Sequence, residues 1–222
     1  MTAKQHIKFN EKTTLLDFAC GYGRHARFYM KDIYPGNLYG SDVMSDFIEI
    51  CRSTFSLNNV CDVQFDLNNP FPPLKHNSEK FDIIIAYSLF SHLSEDAHFA
   101  WLKEYYRVLK PAGLVFLTIR QQAFLNSLSN SLAYCEDLNK GYMRKLQETL
   151  GSATVQKRFD NGEYIFTPTG GGRDLTNDFY GDTVIPTEYI HNKWSELFDI
   201  VEHRKETPDF PQALICLRKK QE

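Results

Sequence analysis

Short apolar runs ending in glycine or an acid alternate, over the first 120 residues, with longer stretches in which apolar side chains recur every three or four positions. A strand over 14–19, carrying Leu15, Leu16, Asp17, Phe18 and Ala19, leads into Cys20-Gly21-Tyr22-Gly23. A helix over 24–33 follows, with Ala26, Tyr29, Met30 and Ile33 on one face. Residues 38–42 read as a second strand closing in Asp42, after which Ser45 caps a helix that turns Phe47, Ile48, Cys51 and Phe55 inward. A third strand over 61–65 ends at Asp66, before a proline-rich turn over 68–73. The run over 81–87 is the most apolar of the chain and suits a strand covered on both faces. Ser94-Glu95-Asp96 gives a cap and an acidic first turn to a helix with the stripe Phe99, Leu102, Tyr105, Tyr106 and Leu109. Lys110-Pro111-Ala112-Gly113 stops it, and a fifth strand covers 114–119.

The alternation then breaks. Phe124, Leu125, Leu128 and Leu132, then Tyr142, Met143, Leu146 and Leu150, predict two amphipathic helices. Asp160-Asn161-Gly162-Glu163 reads as a hairpin turn between strands over 155–159 and 164–167. A glycine-rich loop over 169–173 continues to Tyr180. A helix starting at Pro186-Thr187 and strands over 198–203 and 213–217 follow; the link between those strands is too short for a helical crossover, so they pair antiparallel. The pattern predicts one domain over 1–222 of the doubly wound α/β class. Its Rossmann-like, seven-stranded, mostly parallel sheet has an antiparallel last strand and helices on both faces, with a mixed insertion over 121–185 after the fifth strand as lid and substrate-binding segment. Ligands in such sheets bind beyond the carboxyl ends of the strands.

Composition narrows the function. With 222 residues and 42% hydrophobic content, one substantial core is expected. A net charge of −3 gives no electrostatic ground for nucleic-acid or membrane-surface partners. No apolar run reaches membrane-spanning length and residues 1–10 are polar, so a cytoplasmic chain acting on a small molecule is expected, with a homodimer left open. Five scattered cysteines, Cys20, Cys51, Cys61, Cys135 and Cys216, suggest neither a disulfide framework nor a metal site.

The acid inside the first strand, the glycine turn, the acids closing the second and third strands and the antiparallel ending together resemble the class I S-adenosylmethionine-dependent methyltransferases, over 14–120 and 187–218. That family's acid-x-Gly-x-Gly-x-Gly motif stands here as Asp17-Phe18-Ala19-Cys20-Gly21-Tyr22-Gly23, with Ala19 in place of the first glycine. The resemblance implies S-adenosylmethionine as cofactor and S-adenosylhomocysteine as product. Asp17, with the backbone near Ala19 and Gly21, would hold the methionine end; Gly23 and Tyr87 join the cofactor-binding positions. Asp42 would accept from both ribose hydroxyls, Val43 and Met44 would lie on the adenine face, and Asp66 with Leu67 would meet the adenine edge. Arg24 either clasps the cofactor carboxylate or pairs with a surface acid. Two alternatives stand beside this reading. Gly21-Tyr22-Gly23-Arg24-His25-Ala26, with Asp42 downstream, also fits an NAD-dependent dehydrogenase, although Asp17 and Asp66 count against it. A non-catalytic sensor or assembly domain that binds the cofactor is the other.

Methyl transfer from a sulfonium is an in-line displacement, so positioning dominates, and a hydroxyl or ammonium acceptor also requires a base. His92, just beyond the fourth strand, is the catalytic candidate, with capping or packing of the next helix as its other role. Cys20 reads as a buried filler and His25 as a solvated helix residue. The Asn/Asp-Pro-Pro-aromatic motif of base methylation is absent after the fourth strand. From the insertion and the helix after it, Tyr164, Arg173, Tyr180 and His191 are candidate substrate contacts. The expected reaction moves a methyl group to an oxygen or nitrogen of a sugar or natural-product intermediate.

Overall fold

A computed structural model of the chain describes residues 3–130, 140–207 and 209–221. Its elements run α1 (Ala3–His6), β1 (Leu15–Phe18), α2 (Ala26–Tyr29), β2 (Leu38–Asp42), α3 (Ser45–Leu57), β3 (Gln64–Leu67), β4 (Phe81–Ala86), α4 (Glu95–Val108) and β5 (Leu109–Ile119). The insertion supplies α5 (Gln122–Asn130), α6 (Lys140–Leu150), α7 (Ala153–Asp160), β6 (Ile165–Thr167) and β7 (Asp182–Val184), and α8 (Thr187–Lys193), β8 (Phe198–Arg204) and β9 (Ala213–Lys219) complete the chain. Seven strands form one sheet in the order β3-β2-β1-β4-β5-β9-β8. All neighbours from β3 to β5 pair parallel, and β9 runs antiparallel between β5 and β8. The order reverses between β1 and β4, so a crevice opens at their carboxyl ends.

Side chains alternate between the two sheet faces. Leu16, Phe18, Ile84, Val115 and Leu117 face α4, α8 and the turn after α8, where Trp101, Tyr105 and Trp194 complete one core. Leu15, Leu38, Phe65, Ile83 and Phe116 face α2 and α3 in a second core with Ile48, Cys51 and Phe55. A third cluster, Leu125, Leu128, Leu146, Leu150, Ile165 and Val184, holds the insertion together. Gly40 is set by this packing: a Cβ there would lie 2.5 Å from the Phe65 ring. Gly40→Ala is expected to destabilise the fold by roughly 1–3 kcal/mol, as overpacked core sites do. An unchanged urea midpoint would contradict that.

Several elements differ from the sequence reading: β3 and β5 start at Gln64 and Leu109, and Met44 rather than Ser45 occupies the cap position of α3. The helix expected over 24–33 shrinks to Ala26–Tyr29, because Gly21 and Gly23 both adopt positive φ and the chain is still turning at Arg24. The strand expected over 155–159 is the helix Ala153–Asp160: the Ser152 side chain accepts from the Val155 amide, and Gly162, at φ +78, ends the helix rather than tightening a hairpin. The 164–167 strand exists as Ile165–Thr167, but its partner is Asp182–Val184. Elsewhere the Ser94 cap and the antiparallel last strand stand as expected. Leu132 and Cys135 lie outside the described residues, as does the side chain of Met143. Cys20, Cys51, Cys61 and Cys216 are free thiols. Among the described residues no helix is long and apolar enough to cross a membrane, and no group of three or more His, Cys, Asp or Glu is placed to hold a metal.

Candidate active site

The turn after β1 has three residues in the left-handed region: Ala19 at φ 56, Gly21 at φ 54 and Gly23 at φ 77. An L side chain in that region is disfavoured by about 1–2 kcal/mol, so Ala19 carries strain where a glycine would carry none. The two glycines serve different ends. A Cβ on Gly21 would meet nothing within 4 Å, which leaves its backbone open to a ligand, whereas one on Gly23 would press on Phe55 and Cys51 of α3. The four-residue α2 offers no extended helix dipole, so polar recognition here falls to the turn and its acids.

Asp42, at the end of β2, locks the turn. Its Oδ2 accepts from the Gly21 amide and its Oδ1 from the Met44 amide, both at 2.9 Å. Burial pushes its carboxyl above the usual range, against the lowering effect of the Met44, Gly21 and Val43 amides. Asp17 is more deeply placed, only 1% exposed, with its Oδ2 unpartnered. Burial pushes it up to about 7; the Ala26 amide opposes this, the Asp42 charge adds to it, and Arg24 opposes it. A buried carboxylate with one oxygen unpartnered is costly, and a cationic ligand group beside it would relieve that cost.

A cavity of about 200 Å³ opens beside the turn. Ala19, Gly21, Asp42, Val43, Met44 and Tyr87 line it, all expected there from the sequence. Phe47, Asn68, Pro70, Ser88 and Trp101 also line it, and Leu175, Phe179 and Tyr180 cover it from the segment before β7. Val43, Asn68, Pro70 and Phe179 continue into an open cleft of about 760 Å³ that includes Leu67 and Arg173. The Arg173 guanidinium is paired with Asp46 in the first turn of α3, a tie between the covering segment and the domain.

Asp66, Gly23, Arg24, Tyr164 and His191 lie away from the cavity, as does His25. Asp66 sits within β3, which starts later than expected, and its carboxylate faces Lys75 and, at 3.6 Å, His76. Gly23 and Arg24 line a separate groove behind the turn, although the Arg24 guanidinium lies 6.0 Å from the Tyr87 ring centre. Tyr164 is core: its hydroxyl donates to the Leu93 carbonyl at 2.9 Å. His191 is exposed, with its ring 6.3 Å from that of His203. His25 is half-buried and packs edge-on against Tyr87 at 4.8 Å, rather than standing in solvent.

His92 stands behind the covering segment. Its Nδ1 lies 2.7 Å from the Gly181 carbonyl, an acceptor only, so Nδ1 carries the proton and Nε2 the lone pair. Its ring stacks on Tyr180 at 5.1 Å, with 6° between the planes, and Tyr180 is itself a cavity wall. Burial, then the Arg120 charge, hold the imidazole below the usual histidine range, opposed by the Gly181 hydrogen bond and Asp182. The ring is therefore neutral at neutral pH, with its basic nitrogen free of the proton.

Residues 15–113 match the model of a family described as a methyltransferase domain. Phosphoethanolamine N-methyltransferase of Plasmodium falciparum is 22% identical over 201 residues, covering 90% of this chain and 70% of that protein. Among solved structures, a SAM-dependent methyltransferase from Methanosarcina mazei has a TM-score of 0.64 at 18% identity, covering 98% of this chain and 97% of its own. An S-adenosylmethionine-dependent methyltransferase from Clostridium acetobutylicum has a TM-score of 0.63 at 13% identity, over 99% and 88%. These two likenesses concern the fold.

Proposed function

We infer that this chain, which carries a class I S-adenosylmethionine-dependent methyltransferase domain and takes S-adenosylmethionine as its cofactor, methylates an oxygen or nitrogen of a small molecule, with His92 as the base. The domain match sets aside the nicotinamide reading of the glycine turn. The residues present suit the cofactor: an open backbone at Gly21, a buried carboxyl at Asp17 with one oxygen unpartnered, and Asp42 with Val43 and Met44 on one wall of the cavity. Asp17 and the turn would receive the methionine end, Asp42 the ribose and the Val43–Met44 wall the adenine. Asn68, which lines the cavity, is better placed for the adenine edge than Asp66.

Bound, the cofactor supplies a methyl group already activated on sulfur. The chain's part is to orient the acceptor, keep water out and take one proton. The single observation that carries this reading is the glycine turn held open by Asp42 onto a cavity that Leu175, Phe179 and Tyr180 cover; His92, fixed with its lone pair on Nε2 one ring behind that wall, would reach the acceptor as Tyr180 swings aside. A sugar or natural-product intermediate remains the proposed acceptor class. The likeness to an enzyme named for phosphoethanolamine adds small primary amines to the set worth testing.

The test has two stages. Calorimetric titration with S-adenosylhomocysteine and, in parallel, NADH should give binding of the sulfur nucleotide alone. Purified protein with methyl-labelled cofactor is then offered sugars, phenols and small amines, and label should pass to one of these classes. Cofactor binding with transfer to none of them, but to a basic peptide, would replace the small-molecule reading.

A further inference from the structure

The base and the cover of the cavity share one anchor. Residues 92 and 181 are joined twice, since the Gly181 amide donates to the His92 carbonyl at 2.7 Å while the His92 ring donates back to the Gly181 carbonyl. On either side, the Ser94 amide donates to Phe179 and the Thr183 amide to Ser91, so the covering segment leaves and rejoins the domain beside His92. Next to Gly181 lies Asp182, 1% exposed. Its Oδ1 takes the Arg120 guanidinium from the end of β5 and the Tyr142 hydroxyl from α6 at 2.7 Å. Its Oδ2 takes the Thr169 hydroxyl at 2.7 Å, where the covering segment begins. The segment thus starts and ends on one carboxylate, and Gly170 N–H donates to Tyr180 to close its neck.

We propose that Asp182 is the positioning residue for His92: by fastening both ends of the 169–182 segment, it fixes the Gly181 carbonyl that holds the imidazole, so covering the cavity and orienting the base are one event. The inference rests on the reading of His92 as base. Asp182 does not itself hydrogen-bond the ring, since its Oδ1 stands 3.8 Å from Nδ1. Its influence is therefore geometric through Gly181, and electrostatic at one remove. The titratable or charged groups facing His92 are Arg120 just after β5, Asp182 from β7 and Tyr180 from the covering segment, with Tyr142 of α6 reaching it through Asp182. Arg120 disfavours the imidazolium and Asp182 favours it, Arg120 with the larger effect.

The experiment is nitrogen NMR of the full chain with labelled histidine, titrated in pH with and without S-adenosylhomocysteine. The His92 signals are assigned by their loss in His92→Asn. The wild type should show a single Nδ1–H tautomer. Asp182→Asn should mix the two tautomers and lower the His92 midpoint, because the favourable anion is gone and Arg120 remains. Arg120→Gln should raise the midpoint, by about 1 pH unit for a charge at this range. The opposite signs follow from the two charges; the mixing of tautomers is what reads the positioning through Gly181. Should Asp182→Asn fail to fold, Thr169→Val with Tyr142→Phe removes two of the ties and should also mix the tautomers. An unchanged tautomer and midpoint in the folded variants overturns the proposal. The two readings fail separately: full turnover in His92→Asn removes the base and leaves these ring signals standing, whereas unmoved signals with turnover lost in His92→Asn remove only the role of Asp182.

Discussion

His92→Asn is expected to lower kcat by about 10²–10⁴-fold with an acceptor that must lose a proton, while the affinity for S-adenosylhomocysteine stays nearly unchanged. The separation follows from position: His92 stands behind Tyr180 and does not line the cavity, so it takes no part in holding the nucleotide. Asparagine keeps an N–H that can reach the Gly181 carbonyl, so the root of the covering segment should survive. The pH dependence supplies a second signature. Only the neutral imidazole can take a proton, and burial and then Arg120 hold its pKa below the usual histidine range. Turnover should therefore be level around neutrality and fall only as the pH drops below that range, and the fall should disappear in the variant. Full turnover in His92→Asn, or an unaltered acidic limb, would mean that the acceptor reaches the methyl group already deprotonated or that another group takes its proton.

The parts of this site visible in the sequence are those built from neighbours along the chain. A strand, a glycine turn and an acid closing the next strand are local patterns, and Asp17, Gly21 and Asp42 come together because β1 and β2 are parallel neighbours in register. Tyr87 follows for the same reason, at the end of β4. Asp66 shows how loosely the sequence marks β3: a shift of a few residues places the acid inside the strand and beside Lys75, rather than just beyond its end. Tyr164 and His191 were chosen for their chemistry alone, and the packing of the insertion turned one inward and the other out. The helix Ala153–Asp160 was hidden because Val155 and Phe159 fit a short strand as readily as one face of a helix, and only the Ser152 cap favours the latter. Asp182 had no local pattern at all. Its partners lie 13, 40 and 62 residues away, and the one visible hint was Arg120, a cation at the carboxyl end of a strand bordering the crevice.

Asp42→Ala is expected to weaken S-adenosylhomocysteine binding by about 2–3 kcal/mol, on the order of 100-fold, the scale of losing hydrogen bonds to a charged acceptor. Two losses combine. The carboxylate proposed to meet the ribose is gone, and the Gly21 and Met44 amides lose the acceptor that holds the turn open toward the cavity. Asp42→Asn separates them: its single carbonyl oxygen can keep one amide but not both, so an intermediate loss is expected if the carboxylate serves turn and ribose together. The acid beside it predicts how the effect depends on pH. Asp17, pushed up to about 7 chiefly by burial and partly by the Asp42 charge, is part-protonated near neutrality in the free protein. A ligand carrying an ammonium beside Asp17 binds its ionised form better, so affinity should rise with pH through about 7 and level off above. Removing the charge of Asp42 lowers the Asp17 midpoint, so in Asp42→Ala that rise should move to lower pH even as the plateau affinity falls. Calorimetry of both proteins at several pH values from 5.5 to 8.5 (roughly one unit or more on each side of the Asp17 midpoint) reads the plateau and the midpoint together. Equal affinity for wild type and Asp42→Ala would remove Asp42 from the nucleotide site. A lowered plateau with no movement of the midpoint would keep Asp42 there and release Asp17 from the ammonium.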